Sequence, residues 1–352
     1  MLGFALLGAG RIAQRHAELL GTGKINDGKL IAICDTDLDR ARKLANKYQV
    51  PHYEDYRSMA AAEQYDVGVV LSPSGMHGKH AIEVAASGRH VVVEKPMALT
   101  LDDADDMINA CDAAGVKLFV VKQNRFNVPV QKLREALEAG RFGKITLGTV
   151  RVRWCRRQNY YDQDDWRGTW AMDGGVLANQ ASHHIDLLEW MLGDVETVFA
   201  LSTTSLADIE TEDTAVVCLQ FTNGALGLIE ATTATRPIDL EGSISILGEQ
   251  GTVEIAGFAV NRMKVWEFED KSASDDEVLD KFSVNPPDVY GFGHKCYYQH
   301  VVRCLMDNGP NLVGGLMGRK SLELISAIYE SVETGRPVRM KFRPVRCRLG
   351  HQ

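Results

Sequence analysis

Long apolar runs are missing from this chain of 352 residues. No segment approaches the roughly 20 consecutive apolar residues that a transmembrane helix needs. After Met1 the chain enters a short apolar stretch and then glycine, without the basic region that begins a secretory signal. We therefore expect no membrane insertion and a cytoplasmic location.

Excess positive charge is also missing, because 39 Lys and Arg residues are outnumbered by 47 Asp and Glu residues and the formal net charge is -8. Proteins bind nucleic acid by neutralising its phosphates with clustered basic side chains. The composition therefore argues against nucleic acid as a partner. An anionic ligand should be small and held by a local basic patch.

Paired cysteines are missing as well. The seven cysteines are dispersed, without a C-x-x-C pair or the spacing of a zinc site. We predict no metal centre, and unpaired thiols agree with the cytoplasm. The chain is, however, long. Its 352 residues, 45% of them hydrophobic, are too many for a single small hydrophobic core, so two domains are expected.

A glycine-rich motif near the start of the chain is typical of dinucleotide binding. A short apolar strand runs into Gly8-Ala9-Gly10-Arg11-Ile12-Ala13, which reads G-x-G-x-x-A, and then into a helical stretch. The glycines let the backbone turn tightly and approach a pyrophosphate, while the helix N-terminus supplies N–H groups. The predicted cofactor contacts in this motif are Gly8, Gly10, Arg11 and Ile12.

Asp35 ends the second apolar strand and indicates which dinucleotide is bound. Its carboxylate can accept both ribose hydroxyls of an adenosine, and its charge repels a 2′-phosphate. Arg40 and Arg42 follow and could hold a phosphate, but Asp37 and Asp39 oppose that. The prediction is NAD rather than NADP. The alternative is that Asp35 only caps the next helix.

Three further apolar strands, with helices between them, continue the pattern of a parallel sheet buried on both faces. Each strand ends in polar residues, and the strand Val91-Val92-Val93 ends in Glu94-Lys95-Pro96. Ligands bind at the carboxyl ends of parallel strands, so these ends should line one cleft with Lys95 at its mouth. The alternative is a surface Glu-Lys pair that closes a strand. The predicted cofactor contacts at these ends are Ser72, Pro73, His77, Glu94, Lys95 and Gln123.

From Lys144 onward the pattern changes to consecutive strands joined by hairpin-type turns. Val150, Val152 and Trp154 alternate with arginines, which is the period of a strand with one buried face. We predict an NAD-binding α/β Rossmann domain over residues 1–122 and an α+β domain with a large open, mostly antiparallel sheet over residues 123–352. Further strands are predicted at 195–204, 215–221, 226–233, 243–247, 252–255 and 264–268.

Paired glycines, Gly174-Gly175, precede a stretch that we predict to be one helix, 176–192. Asn179 and His183 are four residues apart and would share a face of this helix, with Asp186 one turn further on. A polar stripe on an otherwise apolar helix is a candidate site. The alternative for His183 is a structural histidine whose hydrogen bonds are satisfied in the core.

Arg156, Arg157 and Tyr160 belong to a basic and aromatic cluster on an expected loop. Guanidinium groups bind phosphate or carboxylate through paired hydrogen bonds, so this cluster could anchor an anionic substrate. A solvated loop is an equally weighted alternative.

Together, the G-x-G-x-x-A motif, the E-K-P strand end and a G-G-x(7)-H-x-x-D segment resemble the glucose-fructose oxidoreductase, inositol dehydrogenase and MocA family over nearly the whole chain. Within it, 121–125, 166–170 and 179–183 resemble the bacterial UDP-N-acetylglucosaminuronic acid (UDP-GlcNAcA) 3-dehydrogenases. The resemblance implies NAD, a Rossmann domain, and a second-domain sheet that binds substrate and joins subunits into a dimer or tetramer. It also places Trp166 and Arg167 beside the nicotinamide.

The activity that the resemblance implies is oxidation of the 3-hydroxyl of UDP-GlcNAcA to a 3-keto sugar, on the path to diacetamido-dideoxy uronic acids of lipopolysaccharide O-antigen. Lys95 and His183 are the candidates for removing the hydroxyl proton, and Lys95 is expected to be the more sensitive. The alternatives are an NAD-dependent inositol or sugar dehydrogenase, a 3-keto nucleotide-sugar reductase, and a non-catalytic dinucleotide sensor. The predicted substrate contacts are Lys95, Asn124, Arg156, Arg157, Tyr160, Asn179 and His183.

Asn179 departs from the pattern of the family. Most members carry Asp four residues before the histidine, and an amide cannot stabilise an imidazolium by charge. The usual Asp-His dyad is therefore missing, which weakens His183 as the base.

Overall fold

The computed structural model describes residues 1–271, 273, 275–283 and 293–340. Within these residues the first half of the chain contains strands β1 (Leu2–Leu7), β2 (Gly28–Cys34), β3 (His52–Tyr53), β4 (Val67–Val70), β5 (His90–Val93) and β6 (Leu118–Val120), and helices α1 (Ala13–Gly21), α2 (Leu38–Tyr48), α3 (Tyr56–Ala62), α4 (His77–Ala86) and α5 (Leu101–Ala113). The second half contains strands β7 (Ile145–Arg153), β8 (Val195–Thr203), β9 (Thr214–Phe221), β10 (Leu226–Thr232), β11 (Glu241–Gly248), β12 (Gly251–Ala256), β13 (Arg262–Phe268) and β14 (Val338–Arg339), and helices α6 (Val128–Glu138), α7 (Gln158–Tyr161), α8 (Ser182–Leu192), α9 (Val278–Lys281), α10 (Gly293–Met306) and α11 (Gly315–Thr334). Short 3-10 turns lie at Ser74–Met76 and Gln123–Phe126.

The first sheet is parallel, and its strands lie in the order β3-β2-β1-β4-β5-β6. Its apolar strands are buried on both faces, and Val91, Val92 and Val93 of β5 are inaccessible to solvent. Burying a valine side chain contributes roughly 1.5–3 kcal/mol. The strand that ends two residues before Lys95 is therefore firmly packed, and the predicted Rossmann sheet is confirmed.

The second sheet has the order β13-β12-β11-β7-β10-β9-β8-β14. Its neighbouring strands are antiparallel except for β7 and β10, which run parallel, so the predicted mostly antiparallel sheet is confirmed. Apolar residues alternate along β7, where Val150 and Val152 are buried and the intervening Arg151 points to the other face. Apolar side chains of α6, α8 and α11 pack on one face of this sheet. Within the described part of the chain, side chains on the other face of β8, β9 and β10 are exposed at several positions.

Helix α10 lies in the second half of the sequence but packs against the first sheet. Tyr297 and Tyr298 are inaccessible to solvent, and the ring of Tyr298 meets Phe4 of β1 edge-on with centroids 5.5 Å apart. The described part of this helix begins at Gly293. The domain boundary at residue 122 stays a prediction. Helix α10 follows this boundary in the sequence but packs in the core of the first sheet.

The prediction of one helix over 176–192 is wrong in its first part, because α8 begins at Ser182 and residues 176–180 form turns. The physical reason lies at Asn179, whose carbonyl oxygen accepts hydrogen bonds from Lys95 Nζ at 2.8 Å and Ser182 Oγ at 2.9 Å. Side chains thus take the place of a helical N–H at this carbonyl. Asn179 and His183 therefore do not share a helix face.

Among the described residues, none of the helices combines the length and the apolar composition that crossing a bilayer requires.

The acidic stretch after Phe268 is not wholly exposed, although its composition suggests an exposed loop. Asp275 is buried, where it accepts hydrogen bonds from Arg141 at 2.9 Å and from Trp266 Nε1 at 2.6 Å.

Candidate active site

A cleft of about 890 Å³ lies where the carboxyl ends of the first sheet face the start of the second domain. The predicted site residues that line it are Gly8, Gly10, Arg11, Ile12, Asp35, Ser72, Pro73, His77, Glu94, Lys95, Gln123, Arg156, Tyr160, Trp166, Arg167, Asn179 and His183. The fold thus brings together residues that lie far apart in the sequence. Asn124 and Arg157 are not among the residues that line the cleft.

The glycine loop has the geometry that a dinucleotide needs. Gly8 has φ +111°, and a Cβ there would lie 2.6 Å from the carbonyl oxygen of Leu71, so only glycine fits without strain. A Cβ on Gly10 would meet nothing within 4 Å, which leaves the backbone open for close approach by a pyrophosphate. These residues fit an NAD cofactor.

Asp35 faces this loop rather than capping α2. Its carboxylate accepts hydrogen bonds from the backbone N–H of Ala9 at 2.7 Å and of Asp37 at 2.9 Å, one on each oxygen. The N-cap of α2 is Asp37, which accepts a hydrogen bond from the backbone N–H of Arg40. Since each carboxylate oxygen can accept a second hydrogen bond, Asp35 keeps capacity for two ribose hydroxyls.

Glu94 directly follows β5 and is a buried carboxylate in the lining of the cleft. Burial would raise its pKa, but hydrogen bonds from His16 and His294 outweigh that effect and hold the pKa well below its ordinary value. His16 Nε2 lies 3.0 Å from the carboxylate, and its Nδ1 lies 2.5 Å from the Tyr298 hydroxyl. Within the described residues, His16, Glu94 and His294 are the group whose ligand atoms, all within 4.8 Å, could hold a metal ion.

Lys95 is the cation at the centre of the cleft. Its Nζ donates to the carbonyl oxygen of Asn179 at 2.8 Å and to Asn179 Oδ1 at 3.1 Å. Burial lowers the pKa of Lys95, partly offset by the nearby carboxylates of Glu94 and Asp173. The neutral amine is therefore easier to reach than in an exposed lysine.

His183 lies beside Lys95 and is neutral. Burial, followed by the charge of Lys95, holds the pKa of His183 well below its ordinary value. The amide nitrogen of Gln123 lies 2.9 Å from His183 Nε2. Because an amide N–H donates, this ring nitrogen is the acceptor and its lone pair is already engaged.

Asp186, the acid of the H-x-x-D segment, does not pair with His183. It accepts hydrogen bonds from Lys122, from Arg125 Nε at 2.8 Å and from Ser321 Oγ at 2.6 Å, all in the buried interior. Burial would raise the pKa of Asp186, but the two cations hold it well below its ordinary value. Through these hydrogen bonds Asp186 connects α8 to the end of β6 and to α11.

A basic and aromatic wall forms the second-domain side of the cleft. The Arg156 guanidinium stands 5.2 Å from the ring centroid of Trp154 and pairs with Asp239 at 2.9 Å. Arg167 stands 4.6 Å from the ring centroid of Trp166 and donates to the Tyr160 hydroxyl at 3.0 Å. The guanidinium groups are thus held in fixed orientations.

Two predicted substrate residues lie elsewhere. Asn124 is buried in the turn after β6, and Arg157 is exposed at the start of α7. Side chains that alternate in direction explain the second case, because Arg156 turns into the cleft and its neighbour turns out. In the single chain Arg157 therefore does not reach the cleft that it was predicted to line.

Sequence reasoning missed Asp173, which is 1% exposed and touches the lysine's partner Asn179. It also missed Trp154 and Gln180 as lining residues. The sequence carries no signal for Asp173, because its contact with Asn179 arises only in the folded chain. Trp154 was recognised only as part of a strand.

The fold and the site define an NAD-dependent oxidoreductase. Residues 2–122 match an oxidoreductase family's NAD-binding Rossmann fold, and residues 134–340 match the same family's C-terminal alpha/beta domain. The chain belongs to this glucose-fructose oxidoreductase, inositol dehydrogenase and MocA family.

Two characterised relatives illustrate the range of the family. The chain is 26% identical over 344 residues to the D-apiose dehydrogenase of Paraburkholderia graminis, which covers 96% of this chain and 89% of that protein. It is 32% identical over 254 residues to the myo-inositol 2-dehydrogenase of Thermotoga maritima, which covers 70% of this chain and 73% of that protein.

Two solved structures are more similar. The WlbA dehydrogenase of Bordetella pertussis, in complex with NADH and UDP-GlcNAcA, is 42% identical with a TM-score of 0.89, covering 97% of this chain and 99% of that one. The WlbA dehydrogenase of Chromobacterium violaceum, with the same two ligands, is 40% identical with a TM-score of 0.90, covering 97% of each chain.

Proposed function

We propose that this protein oxidises the 3-hydroxyl of UDP-GlcNAcA to the 3-keto sugar, with NAD as the hydride acceptor. The observation that carries the proposal is the likeness to the two WlbA structures, 42% and 40% identical over 97% of this chain and solved with NADH and UDP-GlcNAcA. The motif resemblance extends the proposal to the biosynthesis of diacetamido-dideoxy uronic acids for lipopolysaccharide O-antigen.

Guanidinium groups held in fixed orientations on the cleft wall support an anionic nucleotide sugar. Such a substrate carries negative charge on its diphosphate and on its uronate carboxylate. Arg156 and Arg167 are held by Asp239 and Asp164 and by aromatic rings, which fixes their forks for bidentate hydrogen bonds. We assign Arg156 and Tyr160 to anchoring the anionic groups.

Lys95 is the residue that we propose takes the hydroxyl proton. A neutral amine has two N–H groups and one lone pair, and the carbonyl oxygen and Oδ1 of Asn179 match the two N–H groups. The lone pair is then left for a substrate hydroxyl. Bound NAD supplies the hydride-accepting chemistry, while the chain orients the sugar and accepts the proton.

His183 has a different role in this proposal. It is neutral, and its Nε2 already accepts a hydrogen bond from Gln123. Its remaining ring nitrogen therefore carries the proton and can only donate. We propose that His183 orients the reacting sugar by donating to one of its oxygens, beside the proton-accepting Lys95.

The proposal is tested by the absorbance of NADH when the protein and NAD are mixed, in separate cuvettes, with UDP-GlcNAcA, UDP-N-acetylglucosamine or myo-inositol. A rise with the uronic acid alone is expected. A rise that stops at one equivalent per active site would indicate that NADH is retained. A rise with inositol alone would overturn the proposed substrate.

A polyol substrate is the second candidate, favoured by the 32% identity to the Thermotoga maritima myo-inositol 2-dehydrogenase. Protection by UDP against thermal unfolding separates the two, because only a nucleotide-sugar enzyme has a subsite for the nucleotide. A 3-keto nucleotide-sugar reductase would share this protection but would oxidise NADH. A sensor would show no turnover in either direction.

We propose that a second copy of the chain covers the open face of the second sheet, in a dimer or tetramer. Leu201 of β8, Val216 of β9 and Leu226 of β10 are between 46% and 64% exposed on strands that neighbour one another. Light scattering tests this, and a Val216→Lys variant is expected to shift the protein toward monomer. We further propose the cytoplasm, which is the compartment that supplies NAD.

A further inference from the structure

The Asn179 side chain has one chemically allowed orientation. On one side it meets Lys95 Nζ, which donates a hydrogen bond to it, and on the other it meets the carboxylate of Asp173, which only accepts. Its Oδ1 therefore faces Lys95 at 3.1 Å, and its Nδ2 faces Asp173 Oδ1 at 2.5 Å. The amide connects a carboxylate to the lysine in a line.

Both carboxylate oxygens of Asp173 accept hydrogen bonds from N–H groups. Its Oδ1 accepts from Asn179, and its Oδ2 accepts from the backbone N–H of Gly168 at 2.9 Å. With both oxygens accepting N–H groups, neither has to carry a proton to satisfy its surroundings. Burial raises the pKa of Asp173 above its ordinary value, and the N–H of Gly168, the charge of Lys95 and the amide of Asn179 offset part of that rise.

We propose that Asp173 is the counter-charge of Lys95, acting through the amide of Asn179. In this arrangement Asp173 is a positioning residue. It fixes the amide that orients the lysine, and its charge stabilises the ammonium that forms when Lys95 accepts a proton. The inference rests on the proton-accepting role proposed for Lys95.

The charges that face Lys95 have opposing effects. Glu94 and Asp173 favour its ammonium form, while Arg167 and Arg156 disfavour it, and the neighbouring His183 is neutral. Glu94 is already held by two histidines. Asp173 is therefore the carboxylate whose charge is directed at Lys95 through a hydrogen-bonded group.

The test moves the charge instead of only deleting it. Asp173→Asn removes the carboxylate but leaves an acceptor for the N–H of Gly168. The double variant Asp173→Asn/Asn179→Asp keeps one carboxylate and one amide in hydrogen-bonding contact, with the charge now next to Lys95. The readouts are kcat and KM as functions of pH, and the pH dependence of Lys95 acylation by acetic anhydride, followed by mass spectrometry.

For Asp173→Asn, we expect the acidic limb of two pH profiles, that of kcat and that of Lys95 acylation, to shift to lower pH by about one unit. This shift corresponds to a tenfold change in the protonation equilibrium. The plateau of kcat should fall about tenfold or more with KM nearly unchanged. In the double variant the limb should return to, or rise above, that of the unmodified protein. A merely structural role would lower kcat without moving either limb, and that result would overturn the inference.

Acylation of Lys95 needs no substrate, so it tests this inference even if UDP-GlcNAcA is not oxidised. An absent NADH signal with a shifted acylation limb refutes the proposed function alone. If Asp173→Asn does not fold, the double variant carries the test, and an acylation limb below that of the unmodified protein overturns the inference.

Discussion

Replacing Lys95 by methionine removes the amine that is proposed to take the substrate proton while keeping the length of the side chain. Nζ makes two hydrogen bonds, both to Asn179, and it lies where its pKa is lowered by burial. A positioned general base contributes about 10²–10⁴-fold to turnover, which corresponds to about 3–5 kcal/mol. We expect kcat to fall by at least a hundredfold.

Stability should change little in the same variant. The lost hydrogen bonds cost about 1–3 kcal/mol, and the removed desolvation of an amine offsets a similar amount. Methionine also keeps the apolar contacts of the lysine stem. The unfolding free energy of Lys95→Met should therefore stay within about 1–2 kcal/mol of the unmodified protein.

The assay is steady-state NADH formation, with NAD affinity measured separately by tryptophan fluorescence. Lys43→Met, on the exposed face of α2, is the matched control and should leave both quantities unchanged. Near-normal turnover of Lys95→Met would refute the proton-accepting role. A loss of NAD binding equal to the loss of turnover would also refute it, because the lysine would then act on the cofactor.

Three further predictions concern other parts of the molecule. Lys122→Met leaves buried Asp186 with Arg125 as its remaining cation, and we expect the unfolding free energy to fall by about 3 kcal/mol in denaturant titrations; an unchanged midpoint would contradict this. Burial raises the pKa of Glu212 to about 7 from an ordinary 4.5, so the folded state holds a proton that the unfolded state releases between those pH values, and stability falls as the pH rises. Between pH 5 and pH 8 the unfolding free energy of the unmodified protein, measured by denaturant titration, should fall by about 2–3 kcal/mol more than that of Glu212→Gln. An equal fall in the two proteins would refute the assignment. Asp35→Ser removes the charge that repels a 2′-phosphate, so the ratio of kcat/KM for NAD over NADP should fall about tenfold or more; an unchanged ratio would show that Asp35 does not select the cofactor.

The sequence was sufficient to predict the architecture because the features that determine it are local. A glycine loop after an apolar strand, strands buried on both faces, and later an alternation of apolar and polar residues each reflect a local periodicity. The strands from β8 to β13 lie within a few residues of their predicted bounds. The two-residue strand β14 was missed, since it is short and depends on pairing with β8.

The beginning of α8 could not be predicted because it depends on a tertiary contact. The sequence from Val176 to Ser182 is compatible with a helix, but Lys95 and Ser182 take the carbonyl of Asn179. The partners of Asp186 also depend on tertiary structure, because Lys122 approaches it from the end of another strand.

Most of the cleft residues could be predicted because the ends of parallel strands meet at one edge. Asp173 could not, since its role depends on a hydrogen bond to an amide six residues later. The sequence also does not show which way the side chain of Arg157 points. Two adjacent arginines cannot be distinguished until the backbone conformation directs one of them into the cleft.

In the proposed reaction, hydride leaves C3 of the nucleotide sugar. The most direct test uses UDP-GlcNAcA that carries deuterium only at C3, incubated with the protein and NAD, followed by mass spectrometry of the NADH. We expect NADH that is heavier by one mass unit, formed more slowly than from the unlabelled sugar. NADH without deuterium would show that another carbon is oxidised and would contradict the account.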